Sequence, residues 1–161
     1  MRSSRALLLG SAGLSLAAVA AALVTQHAFD MQPCPWCVLQ RLIFVLIALV
    51  ALAGLAWSST AGQRSIACAL LLLSGAGIAA ALWQHFVAAA SNSCNLSLAD
   101  KIMSGSGLST LLPEVFEPRA TCADAAVKLF GVPYEFWGLT LFAAIEAAAL
   151  SLLMTVNAAR R

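Results

Sequence analysis

The chain has 161 residues, 61% of them hydrophobic and only 10% charged, with a net charge of +2. So apolar a balance excludes an ordinary water-soluble domain. With neither a basic stripe nor a polar domain to carry one, it also excludes a nucleic-acid partner.

Crossing a hydrocarbon core of about 30 Å takes about 20 apolar residues at the helical rise. Four runs reach that length, 6–25, 38–57, 66–87 and 136–156. Lipid cannot satisfy an open backbone, so each run is predicted to be an α-helix. The first run comes after Arg2 and Arg5 and could be mistaken for a secretory leader. It is too long for a usual leader core, and no small-x-small cleavage site separates it from the CxxC motif at Cys34, so it is expected to remain as the first span. A short segment, 26–36, then leads into the second run through QPCPWCVLQR, which carries Cys34, Cys37 and Arg41. The connector 58–65 looks like a mere turn. Gly54, Gly75 and Gly77 are candidates for close helix approach.

Between the third and fourth runs lies a segment of nearly 50 residues, 88–135, long enough to be functional in its own right. Within it LSTLLPEVF spaces Leu108, Leu111, Leu112, Val115 and Phe116 like a one-sided helix lying on a membrane surface. The fourth run holds Glu146 near its middle, where an acid should be protonated or hydrogen-bonded inside the bundle. The fold expected is an all-α membrane protein, a single four-transmembrane-helix bundle over 1–161 with a long outer loop between helices three and four.

Basic residues give the orientation. Arg2, Arg5, Arg64, Arg160 and Arg161 gather at one set of helix ends with no acid among them, whereas Asp30, Asp100, Lys101, Glu114, Glu117, Arg119, Asp124, Lys128 and Glu135 share the other. The positive-inside rule then puts both termini in the cytoplasm. Trp36, Trp83 and Trp137 mark the outer boundary and Trp57 the inner one, as aromatic belts do.

Five cysteines divide unevenly under this topology: Cys34, Cys37, Cys94 and Cys122 fall outside and Cys68 near the inner face. An even set on an oxidising side is expected to pair. The simplest pairing is Cys34 with Cys37 and Cys94 with Cys122, although four cysteines permit three connectivities. Cys68 reads as a small buried hydrophobe. A ring as short as CxxC constrains little of the unfolded chain, and this spacing recurs where a disulfide must exchange readily. Pro35 suits the first helical turn, so Cys37 would lie beside free N–H groups at the positive end of the second helix, which favours its thiolate. Arg41 lies four residues on, one turn deeper on the same face. A cation just inside the apolar slab is a functional candidate. Zinc would need a second ligand pair, and neither the spacing of Cys94 and Cys122 nor that of His27 and His85 supplies one.

These residues resemble the disulfide bond formation protein B (DsbB) family of quinone-linked membrane thiol oxidases. The resemblance runs through QHAFDMQPCPWCVLQR, WQHFVAAASNSC, LPEVFEPRATCADAA and GVPYEFWGL. It implies a bacterial inner-membrane enzyme with a periplasmic loop, in which Cys94 and Cys122 form the disulfide presented to a DsbA-like thioredoxin-fold partner. Cys34 and Cys37 would then pass the electrons to a membrane quinone, ubiquinone or menaquinone, held by Arg41 and His85, with Gln84 beside them. The DsbA, DsbB and quinone relay that keeps the bacterial periplasm oxidising supplies that role. Two other readings stand beside it: a vitamin K epoxide reductase-like enzyme, in which the CxxC comes after the loop pair instead of preceding it, and a non-catalytic membrane protein with structural disulfides.

Overall fold

The computed structural model describes residues 2–57, 59–90 and 97–158, without the side chain of Arg2. Cys94, Arg160 and Arg161 lie outside the described residues. Four helices are long and apolar enough to cross a membrane. They are α1 (Arg2–Ala28), α2 (Pro35–Ala56), α3 (Thr60–Trp83), which runs on into a single π-helical turn at Gln84–Ala88, and α7 (Tyr134–Ala158). Each begins a few residues before its expected run; in α3 a polar cap extends the helix beyond the apolar stretch, the Ser59 hydroxyl accepting from the N–H of Gly62.

The short turns force α1, α2 and α3 to alternate in direction, and α7 lies along α3 and α1. The bundle interior is mainly apolar, with Ser11, Ser15 and Ser74 buried in it, and its outer face is apolar too, with Leu9, Leu16, Leu49, Leu72 and Met154 exposed. An apolar outer face suits lipid, which solvates leucine as well as a core does. Inside, Phe142 is fully buried and stacks on Phe44 with ring centroids 4.0 Å apart. Gly77 makes room for that pair, since a Cβ there would run into the Phe142 ring, and a Cβ at Gly54 would come within 2.8 Å of Ile66. Gly75 faces open space and plays no such part. Glu146 is engaged inside the bundle, accepting from the Ser74 hydroxyl.

Several expectations need correction. Cys68 points outward from α3, because in this bundle an apolar side chain is as well placed against lipid as in the core. Trp36 is turned inward instead of joining a belt, its ring 6.3 Å from that of Trp83, while Trp57, Trp83 and Trp137 are exposed. The helix expected over 108–116 is broken into α5 (Leu108–Leu111) and α6 (Pro113–Phe116). Leu112 precedes a proline, which disfavours the α conformation, and it adopts φ −136°, ψ 66°. The apolar residues consequently diverge: Phe116 is buried, while Leu111 and Leu112 are exposed.

The segment between α3 and α7 is more structured than a loop. Its α4 (Leu98–Ser106) opens on a capping box in which Ser97 and Asp100 satisfy each other's backbone N–H, and closes on Gly107 at φ 68°. Met103 and Ala99 bury its apolar side, and α4 packs on α2. A hairpin comes next, β1 (Lys128–Leu129) paired antiparallel with β2 (Val132–Pro133), turning through Phe130 and Gly131, both at positive φ.

Candidate functional site

The CxxC caps α2. Cys34 is the N-cap residue in extended conformation, Pro35 occupies the first turn where no donor is needed, and the Cys34 sulfur accepts from the backbone N–H of Cys37 at 3.3 Å. The sulfurs of Cys34 and Cys37 are 2.8 Å apart. The free helix-end N–H that was expected to serve Cys37 therefore serves Cys34. Cys37 receives a side-chain donor instead, Gln84 Nε2 at 3.3 Å. Gln84 is buried on the π-helical turn and is itself held by Gln40, whose Nε2 donates to Gln84 Oε1 at 2.7 Å. A π-turn widens the helix locally and is a frequent feature of functional sites.

Two backbone bonds bring the third sulfur in. The N–H groups of Arg119 and Ala120 both donate to the Pro33 carbonyl, at 2.9 and 3.2 Å. This pins the chain just before Cys122 to the chain just before Cys34. Cys122 then hydrogen-bonds with Cys34 and also accepts from the Trp36 backbone N–H. The bond from Cys34, aided by that N–H, holds the Cys122 thiol below its usual range. Cys34 is pushed the other way, by its bonds to Cys122 and Cys37 and by burial, and keeps its proton. One sulfur, that of Cys34, thus meets both of the others. Cys34, Cys37 and Cys122 are all free thiols here; with Cys34 and Cys37 joined as a disulfide, Cys122 would face a sulfur that already has a partner, as thiol–disulfide exchange needs.

Behind Cys37 a cavity of about 250 Å³ opens between the ends of all four spans that lie beside the CxxC. Its wall is mostly apolar, including Ala18, Ala22, Phe44 and Leu141, with Arg41, Gln40, Gln84, Tyr134 and Glu135 as polar points. Arg41 is buried, and three hydrogen bonds fix its guanidinium: Nη1 to Gln26 Oε1 at 2.6 Å and to the Val115 carbonyl at 3.1 Å, and Nη2 to the Ala22 carbonyl at 3.2 Å. The sequence expectation that Cys37 and Arg41 share one face is met, since both line the cavity. His85 is not among the lining residues; its Nδ1 lies 2.5 Å from Oε1 of Glu135, which does line it. His27 lies at the surface, 3.8 Å from Glu114.

Sequence reading missed Gln26, Glu135 and Tyr134 as parts of this site. Gln26 ties Arg41 to the segment between α3 and α7, its Nε2 donating to the Glu114 carbonyl at 3.3 Å. Tyr134 shares a 2.9 Å hydrogen bond with Thr25. An amide and an acid at the ends of apolar runs are the only signal, and it does not distinguish a site from an ordinary helix end.

A four-helix membrane bundle that holds three cysteines in exchange contact beside a cavity with a fixed cation is a membrane thiol–disulfide protein. The family description "Disulfide bond formation protein DsbB" matches residues 4–152, and the chain belongs to that family. Disulfide bond formation protein B of Aromatoleum aromaticum is 33% identical over 156 residues, covering 94% of this chain and 93% of the relative. The protein of the same name from Herminiimonas arsenicoxydans is 33% identical, with 96% of each chain covered. Disulfide bond formation protein B 1 of Pseudomonas syringae is 34% identical over 80% of this chain and 77% of its own. No solved structure matches the chain. Family membership decides against the vitamin K epoxide reductase-like alternative.

Proposed function

We propose that the protein is a thiol:quinone oxidoreductase of the bacterial inner membrane, with both termini cytoplasmic. It would oxidise a periplasmic DsbA-like thioredoxin-fold dithiol and pass the electrons to ubiquinone or menaquinone from the membrane pool. The observation that carries this reading is the position of Cys34, which meets both Cys122 and Cys37, with Cys37 opening onto the cavity that holds Arg41.

The cavity fits a quinone ring. Its volume of about 250 Å³ lies just below the range of about 300–1,000 Å³ typical for larger ligands, enough for one substituted ring with its apolar tail left in the bilayer. The guanidinium of Arg41 uses three of its N–H donors on the protein. Two of its five remain for a carbonyl oxygen. A bound quinone supplies an acceptor for two electrons and two protons. Arg41 holds the oxygen and offers positive charge where negative charge develops. Gln84 keeps the Cys37 sulfur against the cavity, Phe44 and Leu141 exclude water, and His85 joins the site through Glu135.

The exchange steps involve sulfur alone. The partner's thiolate attacks Cys94 of the Cys94–Cys122 disulfide, which forms a mixed disulfide and frees Cys122 as thiolate. Cys122 attacks Cys34 of the Cys34–Cys37 disulfide, freeing Cys37 as thiolate into the cavity wall. The partner's second thiol then closes its own disulfide and releases Cys94. Cys94 re-pairs with Cys122 and frees Cys34, which leaves Cys34 and Cys37 as the reduced pair. The Trp36 backbone N–H, which favours a Cys122 thiolate, and a Cys34 sulfur within its reach support this order.

The test is anaerobic quinone reduction by the purified protein with a reduced thioredoxin-fold dithiol as donor. Cys37→Ser is expected to be inactive, and Arg41→Ala to raise the KM for quinone more than it lowers kcat. Wild-type protein that reduces no quinone with such a donor overturns the reading.

A further inference from the structure

Glu135 is the only carboxyl group lining the cavity among the described residues, and sulfur exchange has no use for it. It is 6% exposed, at the first turn of α7. Its Oε1 is engaged by His85 Nδ1 at 2.5 Å, while Oε2 is buried with no hydrogen-bond partner among the described residues. A position near a helix N-terminus accounts for an acid of some kind there. It does not account for the histidine pairing or for an unpartnered oxygen kept out of water, which is costly unless something else meets it.

His85 connects this carboxyl to the outside. Its side chain is 31% exposed where that of Glu135 is 5%. The imidazole is held between Phe86 and Phe136, with ring centroids 4.8 and 4.7 Å away. The remaining titratable or charged groups on the cavity wall are Cys37 and Arg41 from α2 and Tyr134 from α7; α1 and the 125–129 stretch contribute none. Arg41 does not release its proton, and the Tyr134 hydroxyl is occupied by Thr25.

The geometry points to Glu135 as the proton donor of the acceptor cavity, with His85 positioning its carboxyl and returning the proton from outside. The inference rests on the quinone reading above. Oxidation of the Cys34 and Cys37 pair gives up two electrons, and the acceptor takes up two electrons and two protons. Cys34 brings one proton with its thiol. Cys37, reacting as a thiolate, has already lost its own, so the second proton comes from the Glu135 carboxyl. The products are the Cys34–Cys37 disulfide, the two-electron-reduced acceptor and a Glu135 carboxylate, which is reprotonated through His85.

The experiment compares wild type with Glu135→Gln and Glu135→Asp in the full chain reconstituted in lipid. It measures kcat and KM for a short-chain quinone across pH, the melting temperature, and redox-difference infrared spectra in H2O and D2O. We expect Glu135→Gln to lose about 100-fold in kcat near neutral pH, the range for a lost general acid. Its KM and melting temperature should be little changed, and Glu135→Asp should retain part of the activity. The wild-type spectrum should contain a carboxyl C=O band that shifts in D2O and is missing from Glu135→Gln. Full turnover in Glu135→Gln, or an unaltered carboxyl band, overturns the inference and leaves the quinone reading intact. Activity that falls only in step with melting temperature, with the wild-type pH profile kept, overturns it too. Wild type that reduces no quinone removes both.

Discussion

Replacing Gln26 with leucine tests whether the cation in the cavity is positioned by the end of the first span. Gln26 is buried, and its Oε1 accepts a 2.6 Å bond from Arg41 Nη1. Leucine has a similar volume, so no cavity forms and the change is one of polarity. A hydrogen bond to a charged group contributes about 1.5–3 kcal/mol. The second bond, from Nε2 to the Glu114 carbonyl at 3.3 Å, is long and lies beside an exposed residue, so water replaces it at little cost. The expected loss is about 2 kcal/mol, which for a chain of this size lowers the melting temperature by about 4–8 °C. The same energy no longer holds the guanidinium in its binding orientation. If that orientation becomes about 2 kcal/mol less favoured, apparent quinone affinity falls about 30-fold. Thermal unfolding in detergent and quinone titration by tryptophan quenching measure the two effects. Gln26→Glu, which restores an acceptor for Arg41, should recover most of the melting temperature. A leucine variant that melts with the wild type and binds quinone equally well would refute the claim that Gln26 fixes Arg41.

The packing and the sulfur geometry lead to two further outcomes. Gly77→Val should destabilise the bundle by about 1–3 kcal/mol through overpacking against Phe142, whereas Gly75→Val, facing open space, should melt close to wild type. In the reduced protein, Cys122 should be alkylated from a lower pH than an ordinary thiol, because its thiolate is favoured, and Cys34 only from a higher one, because its proton is held. Cys34→Ala removes the bond that favours the Cys122 thiolate, so Cys122 alkylation at neutral pH should slow. Mass-spectrometric counting of labelled cysteines against pH reads both, and equal rates at the two sites would contradict the geometry described.

Some near-neighbour chemistry was legible in the sequence, such as the shared face of Cys37 and Arg41, whereas other local features were not. The capping box at Ser97 and Asp100 opens a helix of only 9 residues that carries no long apolar run to announce it. The apolar period of 108–116 fails at Leu112, because a proline's effect on the residue before it outweighs hydrophobic spacing. The hairpin turn at Phe130 and Gly131 was equally hidden, since a bulky residue at positive φ carries no turn signature of its own.

On its own the sequence determined the solvent and the chemistry. Apolar runs of spanning length must be helices wherever water is absent, and a CxxC at a helix start with an arginine one turn on places a sulfur and a cation on one face. Only the tertiary structure decided which sulfur meets which. Cys122 reaches Cys34 because two N–H groups of the segment between α3 and α7 converge on the Pro33 carbonyl, a contact between residues more than 80 positions apart. The same holds for Gln84 at Cys37, for Gln26 at Arg41 and for Glu135 at His85. Each pair joins different helices, and helical periodicity specifies only the face a residue occupies, whereas its partner is set by how the helices pack.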